Sequence, residues 1–261
     1  MDAELLLAHV LGVSRTALLT QHELPDDAGA RFAELLDQRA DRVPLQHLTG
    51  HAPFRHLELA VGPGVFVPRP ETEQLAGWAL ERLAGVAEPV VVDLGSGSGA
   101  LALAIAQEHP GARVTAVERD PGAAAWTRAN AEARAAAGDT PVTVVQGDMT
   151  DDGLLRDLAG AVDVVVSNPP YVPEGAGLPR EVADHDPPLA LWGGPDGLDV
   201  VRGLLDTAAR LLHPGGGLGI EHADQQGVAL PALVRAHGGW TDVEDHPDLA
   251  GRPRYTTARR T

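Results

Sequence analysis

From Val90 onward the chain alternates short, β-branched apolar runs with longer segments whose apolar positions recur every third or fourth residue. Contiguous runs of this kind suit strands buried on both faces, and they predict strands at Val90–Leu94, Arg113–Glu118, Val142–Gln146, Val162–Val166 and Leu218–Glu221. The segments between them predict helices at Thr72–Val86, Ala100–Glu108, Gly122–Ala137, Leu198–Leu212 and Gln226–His237. Such alternation implies an α/β fold, Rossmann-like, with a mostly parallel sheet and helices on both faces. The end differs: Thr241 to Arg259 reads as a β-hairpin split by a turn at Leu249–Pro253.

The front of the chain has another texture. Residues 2 to about 50 read as helical, with Leu5, Leu6, Leu7, Val10 and Leu11 giving one apolar face before Gly12. Phe32, Leu35 and Leu36 give a second, and Pro25-Asp26-Asp27 separates them as a turn and N-cap cluster. After Pro44, the alternation of Leu57, Leu59 and Val61 before Gly62-Pro63-Gly64 suggests a hairpin joining two domains.

Composition narrows the function. The 261 residues are 44% hydrophobic but only 3% aromatic, so Val, Leu and Ala must build the core. A formal net charge of −17 argues against a groove that tracks phosphates. There is no cysteine, hence no disulfide, thiolate metal site or cysteine nucleophile. With no apolar run of membrane-spanning length and no signal-peptide pattern, a cytoplasmic protein is expected. The 11 histidines show no H-E-x-x-H spacing, and no metal is assigned.

Two stretches carry chemistry. Asp93-Leu94-Gly95-Ser96-Gly97-Ser98-Gly99-Ala100 joins the first strand to a helix, where glycines let a ligand approach backbone N–H groups. Taken literally it satisfies the dinucleotide pattern, and Glu118 at the next strand end is the ribose-binding acid of a nicotinamide or an S-adenosylmethionine site alike. Asp93 favours the second ligand, because a pyrophosphate repels a carboxylate that a methionyl ammonium accepts. Asp148 then suits an adenine amino group and Met149 its ring. Helix or turn capping is the plain alternative for either aspartate.

The other stretch is Ser167-Asn168-Pro169-Pro170-Tyr171, where two prolines end a strand at the edge that binds ligands in open α/β sheets. The Asn168 side-chain oxygen and the Pro169 carbonyl can accept from both N–H groups of a planar nitrogen. Tyr171 offers a face to stack on, and the gain is orientation. An amide nitrogen and an exocyclic nucleobase amine fit equally well.

Taken together, these stretches resemble the protein-(glutamine-N5) methyltransferases of peptide chain release factors, the HemK or PrmC family. Pro44-Leu45-Gln46-His47-Leu48-Thr49-Gly50 and Val67-Pro68-Arg69-Pro70-Glu71-Thr72-Glu73 carry the resemblance with the two motifs above, and Glu221-His222 adds to it. It implies a helical substrate-recognition domain over 1–50, a β-hairpin linker over 51–70 and a seven-stranded class I S-adenosylmethionine-dependent methyltransferase domain over 71–261. The methyl donor would lie against Asp93, Gly95, Ser96, Gly97, Ser98, Gly99, Glu118, Asp148, Met149 and Asn168. The substrate glutamine, in a Gly-Gly-Gln loop of a release factor, would be held by Asn168, Pro169, Pro170 and Tyr171, with Asn168, Pro169 and Tyr171 catalytic. The family's front domain has five helices, of which one or two are expected to be missing here. Met149 stands where relatives often carry an aromatic.

The alternative keeps the donor and methylates an exocyclic amine of adenine or guanine in RNA or DNA; the acidic charge weighs against it. A nicotinamide oxidoreductase leaves Asn-Pro-Pro-Tyr without a purpose, and a non-catalytic binding module would call for an eroded Asn168 or glycine loop, and neither is eroded. A monomer that binds a release factor but no nucleic acid or membrane is expected. Residues 168–197 read as a loop, of which Pro173 to Pro195 is long enough for a lid or substrate-gripping function, and Glu221-His222 reads as a structural hydrogen-bonding pair.

Overall fold

The computed structural model describes residues 1–20, 25 and 27–261. Helices α1 (Asp2–Leu11), α2 (Ala28–Ala40) and α3 (Leu45–Thr49) and a 3-10 turn at Arg15–Thr20 form the front. Of the turn expected at Pro25-Asp26-Asp27, Asp26 lies outside the described residues; Asp27 precedes α2 without a side-chain cap bond. A two-stranded antiparallel hairpin follows, β1 (His51–Phe54) and β2 (Leu57–Ala60). The sheet domain contains α4 (Glu73–Leu83), β3 (Val90–Leu94), α5 (Ala100–Glu108), β4 (Arg113–Glu118), α6 (Pro121–Ala136), β5 (Thr143–Gln146) and β6 (Val162–Ser167). After β6 come α7 (Arg180–His185), α8 (Asp199–Leu211), β7 (Leu212–Glu221), α9 (Ala229–His237), β8 (Trp240–Pro247) and β9 (Pro253–Arg260).

Seven strands form one sheet in the order β5-β4-β3-β6-β7-β9-β8. β3 to β7 run parallel, and the closing hairpin β8–β9 adds antiparallel to β7. Alternate residues of the apolar strands serve opposite faces. Val91, Val164 and Val166 pack with Leu75, Leu83 and Ile105 on one side, while Val92, Val165 and Ile220 meet Leu204, Leu211 and Leu230 on the other.

Three expectations change. β7 starts at Leu212 rather than Leu218, because His213 to Gly216 bulge out of a ladder that pairs Val162 with Leu212 and Val164 with Gly217. The segment 168–197 is not all loop: Pro179 and Pro187 bracket α7, too short to show a helical period. The predicted helix from Gln226 begins at Ala229, after a separate 3-10 turn at Asp224–Gln226.

Polar ties hold the hairpin and the front helices against the sheet domain. The Arg55 guanidinium pairs with Glu108 at the end of α5 at 2.7 Å. Asn130 of α6 acts as an extra strand residue, accepting from the Ala60 N–H (2.9 Å) and donating to the Ala60 carbonyl (3.0 Å). Arg39 of α2 binds both Asp2 (2.8 Å) and Glu181 of α7 (2.6 Å), so the front helices touch the segment after β6.

α4 crosses β7 closely because Gly219 has no side chain. A methyl group there would lie 2.6 Å from Leu75 Cδ1 and 2.7 Å from the Trp78 ring. Gly219→Ala should therefore cost about 1–3 kcal/mol, read as a lower urea midpoint with unchanged slope. An unchanged midpoint would show that the α4–β7 contact is slack.

Candidate active site

The sheet reverses direction of growth between β3 and β6: β3 crosses to β4 on one side, and β6 lies on the other. Ligands settle at such switch points, beyond the carboxyl ends of the strands. Both motifs end there, since Asp93 pairs with Val166 in the ladder. A cavity of about 360 Å³ opens between them, within the range of small-molecule sites. Its wall includes Asp93, Gly95, Ser96, Gly97, Ser98, Glu118, Asp148, Met149, Asn168, Pro170 and Tyr171. Gly99 and Pro169 are not in that wall. Gly99 turns the chain into α5 at φ +89°, and Pro169 is buried behind the turn.

The glycine loop is held from two elements, β4 and α6. The N–H groups of Gly95 and Ser96 both donate to the Val117 carbonyl, at 2.8 and 2.9 Å. From α6, the Thr127 hydroxyl donates to the Gly97 carbonyl (2.7 Å) and Asn130 to the Ser98 carbonyl (2.9 Å). Gly95 itself has φ +83°, and a Cβ there would sit 2.7 Å from Met149 Cε. Only glycine keeps that side of the cavity open.

Glu118 accepts from the N–H groups of Gly97 and Asp120, each at 2.9 Å. Its carboxylate is thereby fixed at the cavity wall, and each oxygen keeps a further lone pair for a ligand hydroxyl. Asp93 differs. It is buried at 1% exposure; Oδ2 accepts from the Ala102 N–H (3.2 Å) and Oδ1 has no partner. Burial, with Glu118 nearby adding repulsion against that one hydrogen bond, raises its carboxyl to about 7. Asp148 is partly a turn residue: it accepts from the Thr150 N–H and hydroxyl and pairs with Arg119 at 3.2 Å. Burial acts to raise its pKa, but those bonds outweigh it and the acid sits below its ordinary value.

At the other end, Asn168 Nδ2 donates to Glu221 Oε1 (3.0 Å) and to the Thr72 hydroxyl (3.3 Å). Both amide hydrogens are engaged, which leaves Oδ1 as the free acceptor. Glu221 is fully buried, and burial raises it to about 7 against the pull of Thr72 and Arg254. Burial, followed by the charge of Glu221, also raises the Tyr171 phenol, so that hydroxyl stays protonated. The Tyr171 carbonyl accepts from Gln226 Nε2 at 3.1 Å.

Several wall residues escaped the reading of the sequence. Val182 and Leu189 come from the segment after β6, Phe66 from the linker, and Thr72 from the 3-10 turn (Pro70–Thr72) that leads into α4. Arg69 binds Asp186 (3.1 Å) and lies 4.9 Å over the Phe66 ring, tying the linker to the segment after β6. Spacing in sequence signals none of these. His222 pairs with Asp245 at 2.8 Å, away from Asn168's partners. His47 and His51 are four apart but are split between α3 and β1; among the described residues, no three His, Cys, Asp or Glu side chains are arranged to hold a metal ion.

Sheet order, glycine loop and acid-lined cavity define a class I methyltransferase fold. A model of the PrmC N-terminal domain matches residues 1–50, and one of the methyltransferase small domain matches 57–183. The release factor glutamine methyltransferase of Streptomyces coelicolor is 52% identical over 99% of this chain and 90% of its own length. That of Mycolicibacterium smegmatis is 51% identical over 100% and 90%. The chain belongs to the release factor glutamine methyltransferase family. Among solved structures, a T. thermophilus 16S rRNA methyltransferase in complex with AdoMet and guanosine aligns with TM-score 0.58 at 25% identity, over 81% of this chain and 50% of that one. A Pyrococcus furiosus methyltransferase shares the fold with TM-score 0.53 at 20% identity, over 88% and 98%.

The Asp93 carboxyl sets a pH dependence. Its folded value of about 7 exceeds the ordinary 3.8, so between those values the folded state holds the extra proton. Stability of the ligand-free protein therefore falls as pH rises from about 4 to 7, by roughly 4 kcal/mol from this group. Glu221 adds its own fall, so the measurement is the difference between wild type and Asp93→Asn in urea unfolding across that range. The variant should lose part of the slope; identical slopes would place the Asp93 acid in a solvated setting.

Proposed function

We propose that this protein transfers a methyl group from S-adenosylmethionine to the side-chain amide nitrogen (N5) of the glutamine in the Gly-Gly-Gln loop of a peptide chain release factor. The observation that carries the reading is the Asn168 amide, whose nitrogen is already engaged and whose oxygen is left as an acceptor. A glutamine amide presents two N–H donors, which is what such an oxygen recognises. The family supports the same acceptor.

The donor end fits its ligand by chemistry. An unpartnered buried Asp93 oxygen close to a second acid, Glu118, calls for a cation, and a methionyl ammonium is one. Glu118 suits the ribose diol, Asp148 the adenine amino group, and Met149 the ring. When bound, S-adenosylmethionine supplies an electrophilic methyl group on a cationic sulfur and leaves as S-adenosylhomocysteine. The residues of this chain contribute orientation: Asn168 fixes the nitrogen of the acceptor amide, and Tyr171 gives the planar group a surface. An amide lone pair is delocalised, so alignment matters more than basicity, and no side chain has to remove a proton before attack.

We assign the helical segment over 1–50 and α7 to holding the release factor. On this reading the enzyme acts in the cytoplasm, as a monomer, without binding nucleic acid; among the described residues no helix is long and apolar enough to cross a membrane. The second reading is methylation of a nucleobase amine, the chemistry suggested by the neighbour solved with guanosine. A net charge of −17 opposes it, because phosphate binding needs cationic side chains.

Labelled S-adenosylmethionine offered with a release factor, total RNA or DNA separates the two. Label should enter the release factor alone; label in nucleic acid with none in the release factor would reverse the assignment. Asn168→Ala should lower turnover by about a hundredfold or more with donor affinity largely kept. Turnover near that of the wild type would dismiss the amide clamp.

A further inference from the structure

An asparagine amide is nearly symmetric in shape, so turning it over exchanges its oxygen and nitrogen at little steric cost. At this site only one orientation is useful, the one that leaves Oδ1 free. We propose that Glu221, at the end of β7, sets that orientation and is a positioning residue for the acceptor amide; this rests on the reading that the acceptor is an amide.

The two partners of Asn168 Nδ2 differ in what they can enforce. The Thr72 hydroxyl, at 3.3 Å, donates or accepts and tolerates either orientation. The Glu221 carboxylate, at 3.0 Å, only accepts when ionised. Turning Asn168 over would put its oxygen against that carboxylate, two acceptors in contact at a fully buried point. Glu221 is a poor stabiliser of the fold: beyond the bond to Asn168 its buried Oε2 lacks a close hydrogen-bond partner, and burial holds the acid near 7. Arg254 of β9 and the Thr72 and Tyr171 hydroxyls face it and favour the ion, while Glu71 of the connector opposes it. Such a group costs stability when ionised, and a neutral isostere removes that cost.

The same turn steadies the motif's other end. Gln226 donates to the carbonyls of Tyr171 (3.1 Å) and Asp196 (3.2 Å) and accepts from the Ala223 N–H (3.0 Å), using both ends of its amide. Residues 221–226 thus hold the Asn168 side chain and the Tyr171 backbone together.

Glu221→Gln is the test, since the new amide offers oxygen or nitrogen and removes the bias. Turnover on a release factor should fall about tenfold to a hundredfold in kcat, with donor affinity by calorimetry and melting temperature not reduced. In an Asn168→Ala background the substitution should cost nothing further, because Glu221 acts through that amide. A readout independent of activity is available: the chain has two asparagines, Asn130 and Asn168. Labelling them with 15N gives two side-chain pairs, and Asn168→Ala identifies one. In the wild type that pair should shift as Glu221 ionises between about pH 6 and 8, and in Glu221→Gln it should not. Wild-type turnover in Glu221→Gln, additive losses in the double variant, or an Asn168 pair indifferent to pH would each overturn the proposal. A wild-type enzyme that leaves the release factor unlabelled refutes the assigned activity instead, and the resonance shift still decides the amide's orientation.

Discussion

The site depends on the parallel pairing of β3 with β6. That ladder sets Asp93 opposite Val166, so the glycine loop and the Asn-Pro-Pro-Tyr turn leave the sheet side by side although 73 residues separate Asp93 from Val166. On the proposed reading, strand order is what brings a cationic ligand and a planar amide together. The crossovers to β4 and β7 diverge at this point and leave the crevice open. The prolines keep β6 from running on into it.

Electrostatics gives the two ends of the cavity different tasks. Both contain a buried acid held near 7, but the surroundings differ. Asp93 has one backbone donor and an empty oxygen, a place for a ligand's positive charge. Glu221 has the Asn168 amide, and turns its charge into an orientation. On the proposed reading, a chain of net charge −17 uses buried carboxylates for recognition, and its acidic surface suits a protein acceptor better than a phosphate backbone.

Much of this was legible in the order of residues. The β-branched runs located β3, β4, β5 and β6 to within a residue: the central β3 and β6 because strands buried on both faces have little else in them, and the half-exposed edge strand β5 by its short Val-Val run. Asp93, Gly95, Glu118 and Asn168 could be singled out because a loop after a strand and a proline-stopped strand end are local patterns. What stayed hidden is non-local. The bond between Asn168 and Glu221 spans 53 residues, and that between Arg39 and Glu181 spans 142. The glycines before Leu218 fell outside the predicted strand yet continue β7 past a bulge, since the close approach of Trp78 is invisible in one dimension. Asp148 shows the converse: capping and ligand roles were alternatives on paper, and its Thr150 bonds coexist with a place in the cavity wall.

The central claim is that one cavity seats the methyl donor against the glycine loop and a glutamine amide against Asn168 Oδ1. A crystal structure with S-adenosylhomocysteine and a peptide containing Gly-Gly-Gln tests it most directly. The account predicts the glutamine nitrogen within hydrogen-bond distance of Asn168 Oδ1, with Asn168 Nδ2 still on Glu221 and the nucleoside beside Glu118. A glutamine bound elsewhere, or an Asn168 presenting its nitrogen to the acceptor, would contradict it.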